Sequence, residues 1–442
     1  MEDIMARIWS GPIKRALVVE SPALELDELL SAQGMHVTRL DTIPTEEGLI
    51  EAIQTNDIQV VFKRSKVVIS REVIERCPSL LAVQLCCIGD DSVDKQACAD
   101  HGLLVFNDPV SNGRSVVELV IGNLIALARR LFETNIDCRG GGWDKSNRER
   151  YEVQGKRLGV VGLGNIGRAT ARAASALGME VHFYDTRQVS VELGKELGWR
   201  HHDELMSLFR ACDCVTIHLS ARDVKGSSNE GFITPELLNA LGADRPEGLR
   251  LFINFARGFV HTPEALIEAI EAGKVKGAAV DVYPHEPRTG EEWSNPYIAC
   301  PQVAVYPHIG ASTQEAQPRI ARRVSDTFGQ FSHRGAVRDT PYQVRAQLKL
   351  TSAGRPGQAW LMVCHSTARG TKRAIDEAIY EAGVSNLSSV HTDFDEYGLA
   401  YDLALIDAPL SQEQLQGLIA RAEALTSVEH AIRSIRQVEI LG

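Results

Sequence analysis

The chain has 442 residues and a formal net charge of −11, from 47 basic and 58 acidic side chains. With 44% hydrophobic and 24% charged residues it is neither disordered nor fibrous, and its length suits two to three domains. The acidic balance excludes nucleic acid or an anionic membrane surface as the main partner, while a local basic pocket could still take a small anion.

Nine cysteines (77, 86, 87, 98, 138, 212, 214, 300 and 364) form no C-x-x-C pair and their number is odd. No disulfide framework or zinc motif is expected, and reduced thiols in a cytoplasmic protein are. Residues 1–4 lack a basic region leading into an apolar core, so no signal peptide is expected. The longest apolar stretch, 116–128, is interrupted by Glu118 and Asn123 and is too short to span a bilayer.

Apolar runs at 15–20, 57–62, 81–87 and 103–107 read as buried strands separated by helical pieces such as 24–33. That alternation predicts a parallel sheet covered by helices. A long helix is expected over 114–131, followed by a glycine-rich crossover loop at Gly140, Gly141 and Gly142. A second βα series follows, with strands at 158–161, 181–184, 214–219, 251–254, 278–282 and 303–306. Six such strands fit a doubly wound, Rossmann-type sheet. A helix around 313–328 leads to a polar, proline-containing stretch that reads as a linker. Beyond it, 359–365, 372–382, 386–394, 399–407, a helix begun by Ser411-x-x-Gln414, and 432–440 have the order βαββαβ.

Gly162-Leu163-Gly164-Asn165-Ile166-Gly167 follows one of these strands and opens an alanine-rich helix. Gly162 permits the tight turn, Gly164 a close backbone approach to a pyrophosphate, and Gly167 close packing of helix on strand. The next strand ends in Asp185, which can accept from ribose hydroxyls and repel a 2′-phosphate. That favours NAD over NADP, with Arg187 as a mild counter-signal.

Three charged side chains follow late strands of the same series: Arg257, Glu286 and His308. Ligands of open α/β sheets bind at that edge. An imidazole paired with a carboxylate can accept and return a proton, and a guanidinium can hold a carboxylate bidentately. His218 reads as structural, and His201-His202 as a solvated loop pair. The spacing shows no metal-ligand cluster.

Several motifs point further. They are Cys87-Ile88-Gly89, Val105-Phe106-Asn107, Ser111-Asn112-x-Arg114-Ser115-Val116, Gly178-Met179, Asn254-x-x-Arg257-Gly258, Ala279-Val280-Asp281-Val282 and the run from His308 to Gln317. In these the chain resembles the D-2-hydroxyacid dehydrogenase family from about residue 60 to 324. It is most similar to the branch that oxidises D-3-phosphoglycerate to 3-phosphohydroxypyruvate with NAD, the opening step of serine synthesis. The resemblance implies a flavodoxin-like substrate domain (1–112 and 309–340) around an inserted NAD domain (113–308), with a cleft closing over substrate. A linker (341–356) and an ACT-like regulatory domain (357–442) follow. It makes Arg257, Glu286 and His308 the catalytic trio, with His308 exchanging the proton. The implied NAD contacts add Asn165, Ile166, Phe255, Ala256, Asp281, Ile309, Gly310 and Ala311 to the glycines and Asp185. The implied substrate residues are Arg64, Ser65, Lys66, Ile88, Gly89 and Asn112.

Two departures stand out. Asp90 and Asp91 put negative charge in a loop that would meet an anionic substrate. In the last domain the ligand loop keeps His365 and Gly370 but lacks the usual Asn and Pro, and Asn386 is shifted by one position, so serine inhibition is expected to be retuned or absent. A tetramer paired through the NAD domains is the implied assembly. The competing expectations are a dehydrogenase for another small D-2-hydroxy acid (glyoxylate, hydroxypyruvate or 2-oxoglutarate as the oxidised partner) and a non-enzymatic NAD-sensing corepressor.

Overall fold

A computed structural model describes residues 6–223, 226–245, 247–287, 291–343 and 347–441. The N-terminal reading of residues 1–4 and positions 344–346 of the expected linker lie outside them. The chain divides into two compact units, 1–109 with 317–442, and 110–316.

The first unit begins with β1 (Arg7–Ser10). A parallel sheet follows, made of β2 (Arg15–Val18), β3 (His36–Arg39), β4 (Val60–Lys63), β5 (Ala82–Leu85) and β6 (Leu104–Phe106). Its order is β3-β2-β4-β5-β6, the flavodoxin-like winding expected from the sequence. β4 and β5 are buried throughout, as strands covered on both faces must be.

The second unit holds β7 (Arg157–Val161), β8 (Glu180–Tyr184), β9 (Arg200–His201), β10 (Cys214–Ile217), β11 (Leu251–Asn254), β12 (Gly277–Val280) and β13 (Val303–Val305). They form one parallel sheet in the order β13-β12-β11-β10-β7-β8-β9. This is the expected Rossmann winding with one short edge strand, β9, that was not anticipated. Alternation sorts its side chains onto two cores. Leu251 and Ile253 face the helix Gly113–Ala128, while Phe252 packs on the opposite side with Leu266 and Ala269. That helix presents Val116, Val120, Leu124 and Ala128 at four-residue spacing to the first of these cores. It ends sooner than expected, because Arg130 is left-handed (φ 52°) and a new helix, Leu131–Arg139, begins.

His201 and His202 are not a solvated pair. His202 is buried, its Nε2 lies 2.9 Å from His182 Nδ1, and its Nδ1 lies 2.8 Å from Ser207 Oγ. Burial holds His182 down at about 4 and the half-buried His218, just past the end of β10, at about 3.

The chain returns to the first unit through the helix Ala316–Arg334, whose Phe328 meets Phe62 edge-on at 5.1 Å. Phe328 is fully buried, and its truncation to alanine would cost about 3–5 kcal/mol. A small ladder of β14 (Val337–Arg338) and β15 (Gln347–Leu348) occupies part of the expected linker. The βαββαβ segment is then β16 (Ala359–Ser366), the helix Thr371–Glu381, β17 (Asn386–Phe394), β18 (Leu399–Ile406), the helix Gln412–Thr426 and β19 (Ile432–Glu439). Its sheet has the order β1-β19-β16-β18-β17. Residues 7–10, read only as part of the first domain, form β1, which pairs parallel with β19. One face of β16 (Trp360, Met362, Cys364) joins the core of Phe62 and Phe106, while Leu361 and Val363 face the two helices. Residues 359–439 therefore share a core with the first sheet. Arg436 reinforces this, donating 2.6 Å to the carbonyl of Phe331 near a helix C-terminus.

Candidate active site

In the second unit β11, β12 and β13 are neighbours in the sheet, so the loops leaving their C-terminal ends are neighbours too. These loops carry Arg257, Glu286 and His308. His308 Nδ1 lies 2.8 Å from Glu286 Oε2, and both side chains are partly open to solvent. His308 sits at φ +57°, a left-handed conformation that few non-glycine residues adopt. Its loop is pinned just beyond, where Asp281 accepts from the backbone N–H groups of Ile309 and Gly310, each at 2.7 Å. Asp281 is only 1% exposed, and desolvation pushes its carboxyl up against those two donors. Glu286 is anchored from behind by the Tyr283 N–H, 3.4 Å from Oε1.

Arg257 leaves β11 on a loop fastened by Asn254. The Asn254 Oδ1 accepts from Ala256 N–H at 3.0 Å, and its Nδ2 donates to the Arg257 carbonyl at 2.9 Å. Asn254 in turn lies 3.1 Å from His261 Nδ1, and His261 Nε2 lies 3.1 Å from the Tyr297 hydroxyl. This buried chain was not foreseen as part of the site. Its sequence signal was Asn254 itself, the first residue of Asn254-x-x-Arg257-Gly258, while His261 and Tyr297 carried none. Gly258 is required, since a Cβ there would lie 2.0 Å from the Tyr283 backbone.

The glycine loop lies at the same sheet edge, between β7 and the helix Asn165–Ala176. A Cβ on Gly167 would lie 2.0 Å from the Gly162 carbonyl oxygen, so helix and turn touch. A Cβ on Gly164 would meet only Arg187 Nη2, at 3.8 Å. Open space over Gly164 at the head of a helix is the cradle a pyrophosphate needs, and these residues fit a dinucleotide. Asp185 directly follows β8, accepts from Leu163 N–H at 2.7 Å, and is gripped by Arg187 through Nε (3.1 Å) and Nη2 (2.8 Å). Burial opposes its charge, but Arg187 more than offsets that and the carboxyl is lowered. Phe255 is buried beside Tyr306; Ala256 and Ala311 lie on the loops after β11 and β13, while Asn165 and Ile166 open the helix that follows the glycine turn. Asn112 is also in this unit, buried at the head of the helix Gly113–Ala128.

The other substrate candidates belong to the first unit. Arg64, Ser65 and Lys66 follow β4 at the C-terminal edge of its sheet. Their turn is held by Glu20, whose carboxylate accepts from Lys66 N–H (2.9 Å) and Val67 N–H (2.6 Å). Ile88 and Gly89 follow β5, with Asn107 Nδ2 donating 2.8 Å to the Ile88 carbonyl. The acidic departure there is partly neutralised, because Asp90 pairs with Lys95 and Asp91 acts on buried Lys63.

Among the described residues no helix is long and apolar enough to cross a membrane. Residues 121–310 match the D-isomer specific 2-hydroxyacid dehydrogenase, NAD binding domain. D-3-phosphoglycerate dehydrogenase of Haemophilus influenzae is 36% identical over 320 residues, covering 69% of this chain and 74% of that protein. D-3-phosphoglycerate dehydrogenase 2 of Saccharomyces cerevisiae is 30% identical over 430 residues, 94% of this chain and 86% of its own. The fold is shared with D-lactate dehydrogenase from Aquifex aeolicus, solved with NAD and lactic acid, at TM-score 0.60, 23% identity, and coverage of 72% of this chain and 95% of that one. The chain belongs to the D-isomer specific 2-hydroxyacid dehydrogenases, oxidoreductases that carry an NAD-binding domain.

Proposed function

We propose that the protein oxidises D-3-phosphoglycerate to 3-phosphohydroxypyruvate with NAD. The observation that carries the chemistry is the 2.8 Å contact of His308 with Glu286 beside the Arg257 loop. The substrate assignment rests on the relatives, which are named D-3-phosphoglycerate dehydrogenase at 30–36% identity. NAD, when bound, supplies the acceptor for the C2 hydride. His308 Nε2, on the far side of the ring from Glu286, takes the hydroxyl proton. Glu286 orients the ring and stabilises the imidazolium that results. Arg257 holds the substrate carboxylate, which fixes C2. Arg64 and Lys66 are the proposed phosphate ligands, with Ser65, Ile88, Gly89 and Asn112 shaping the remaining contacts.

The test is NADH formation with 3-phosphoglycerate, glycerate and 2-hydroxyglutarate, in wild type and His308→Ala. Activity on the phosphate ester, lost in His308→Ala, is expected. Activity on glycerate but not its phosphate would transfer the assignment to another small hydroxy acid. Silence on all three would leave the NAD-sensing corepressor.

The assembly is proposed as a homotetramer. Helix Leu131–Arg139 buries none of its residues, and Ile136 (71%) and Trp143 (79%) stand exposed on the NAD-binding unit. Such apolar exposure suits a subunit contact. A cytoplasmic location is supported by nine cysteines that form no disulfide among the described residues, seven of them buried. The βαββαβ segment is proposed as an ACT-like effector module whose altered loop binds serine weakly or not at all.

A further inference from the structure

We propose that the C-terminal sheet holds a divalent transition-metal site of the zinc class, built from His365, His391 and Asp402. Three adjacent strands bring these residues together. His391 on β17 is directly opposite Asp402 on β18. Val363 on β16 is opposite Asp402 from the other side. His365, two residues further along β16, therefore lies on the same face, the one covered by the two helices.

The donor atoms are gathered within reach of one ion. His365 Nε2 lies 2.7 Å from Asp402 Oδ2, and His391 Nδ1 lies 3.1 Å from the same oxygen. All three donor atoms are within 4.8 Å of one another. Ligands around tetrahedral zinc sit roughly 3.3 Å apart, so capture needs only small side-chain movements. His365 and Asp402 are buried, while His391 is at the solvent end on an edge strand.

Counting donors shows why a cation belongs there. His365 Nδ1 faces the Ser366 carbonyl at 2.7 Å while Nε2 faces Asp402. His391 Nε2 faces Asp393 Oδ1 at 3.2 Å while Nδ1 faces Asp402. Each ring thus meets an acceptor at both nitrogens, and a neutral imidazole has only one N–H to give. The two rings stack with centroids 5.6 Å apart and both turn a nitrogen toward the same Asp402 oxygen. One divalent ion fits among these three donor atoms. It takes the lone pairs of His365 Nε2, His391 Nδ1 and Asp402 Oδ2, and the displaced protons pass to water.

The surroundings complete the arrangement. The Ser366 carbonyl and Asp393 become the outer partners that fix each ring's orientation. Lys372 Nζ, 3.3 Å from Asp402 Oδ1, occupies the oxygen that the metal does not use. Two imidazoles and one carboxylate select zinc, cobalt or nickel over calcium or magnesium, which prefer oxygen ligands. Three protein ligands leave a fourth position open toward solvent at His391. Sequence reading found no metal cluster because the three residues lie on separate strands with no motif spacing.

The test uses the full-length chain, stripped with a chelator and titrated with Co²⁺ under reducing conditions. Wild type is expected to show tetrahedral ligand-field absorption, to release protons on binding, and to exchange Co²⁺ for Zn²⁺. His391→Ala removes a ligand at the exposed edge without opening the core. It should lose one metal equivalent, or bind it roughly 100-fold or more weakly. Asp402→Asn should do the same, with far-UV circular dichroism confirming the fold. Zn²⁺ should raise the thermal midpoint of wild type but not of His391→Ala. Equal metal stoichiometry and identical absorption in wild type and His391→Ala would overturn the proposal, and so would a wild-type chain that takes up no Co²⁺ or Zn²⁺.

Discussion

Glu286 Oε2 and His308 Nδ1 are 2.8 Å apart, although 22 residues and the return of a strand separate them. The contact leaves Nε2 as the ring atom free to face a substrate hydroxyl. Replacing His308 with alanine is expected to lower kcat by roughly 10²- to 10⁴-fold, the usual contribution of a positioned base. Glu286→Gln keeps the shape but removes the charge. It should lower kcat by roughly 10- to 100-fold, the worth of one charge-assisted hydrogen bond, with little change in KM. Steady-state kinetics on 3-phosphoglycerate checks both. A Glu286→Gln enzyme with wild-type kcat would remove the carboxylate from the mechanism.

Gly164 and Gly167 share a motif but predict different failures. An added methyl at Gly164 meets nothing closer than 3.8 Å, so Gly164→Ala should keep the thermal midpoint. It would fill the space proposed for the pyrophosphate, and NAD affinity measured by calorimetry should fall at least about tenfold, or 1.4 kcal/mol. Gly167→Ala instead drives a methyl to 2.0 Å from the Gly162 carbonyl oxygen. The helix must shift, so both the midpoint and NAD affinity should drop. Equal thermal losses in the two variants would contradict this division.

These two features were legible in the sequence for the same reason. Both are loops at strand ends, where a few adjacent residues set the geometry. The parallel strands were legible too, because burial on both faces makes them continuous apolar runs. What escaped detection depends on partners far along the chain. Strand β1 has only four residues, and its pairing with β19 is invisible without the fold. His202 reads as polar, yet it is buried through its bond to His182 on a neighbouring strand. Helix Leu131–Arg139 carries no amphipathic stripe, since none of its faces is buried. Asn254 was legible in its motif with Arg257, but its bonds to Ala256 and Arg257 and the buried chain through His261 to Tyr297 show only in the fold.

Asp185 and Arg187 set the choice of cofactor. Both carboxylate oxygens are held by the Arg187 guanidinium. Ribose hydroxyls can reach them only if Arg187 swings aside, and a freed guanidinium is a natural partner for a 2′-phosphate. Asp185→Ala should therefore cut kcat/KM with NAD and raise it with NADP, narrowing the preference by roughly 10- to 100-fold. Arg187→Ala should leave NAD use intact and abolish any residual NADP activity. NADP activity that survives in Arg187→Ala would exclude Arg187 as the phosphate ligand.

Acid sensitivity should arise in the NAD-binding unit. Burial holds His182 and His261 at about 4 and His218 at about 3, against 6.5 for the free side chain. The folded state keeps all three neutral where the unfolded chain takes up protons. Their contribution is thus fully present above pH 6.5 and is lost as pH falls toward 4. The thermal midpoint should decline across that window. His182→Phe removes one of the three protonations and the bond to His202. It should lower the midpoint at pH 7.5, about one pH unit above the free value, yet flatten the decline between pH 6.5 and 4. The slope of midpoint against pH is the measurement that decides. An unchanged slope in His182→Phe would mean that His182 takes up its proton in the folded state, through opening of the His182–His202 contact.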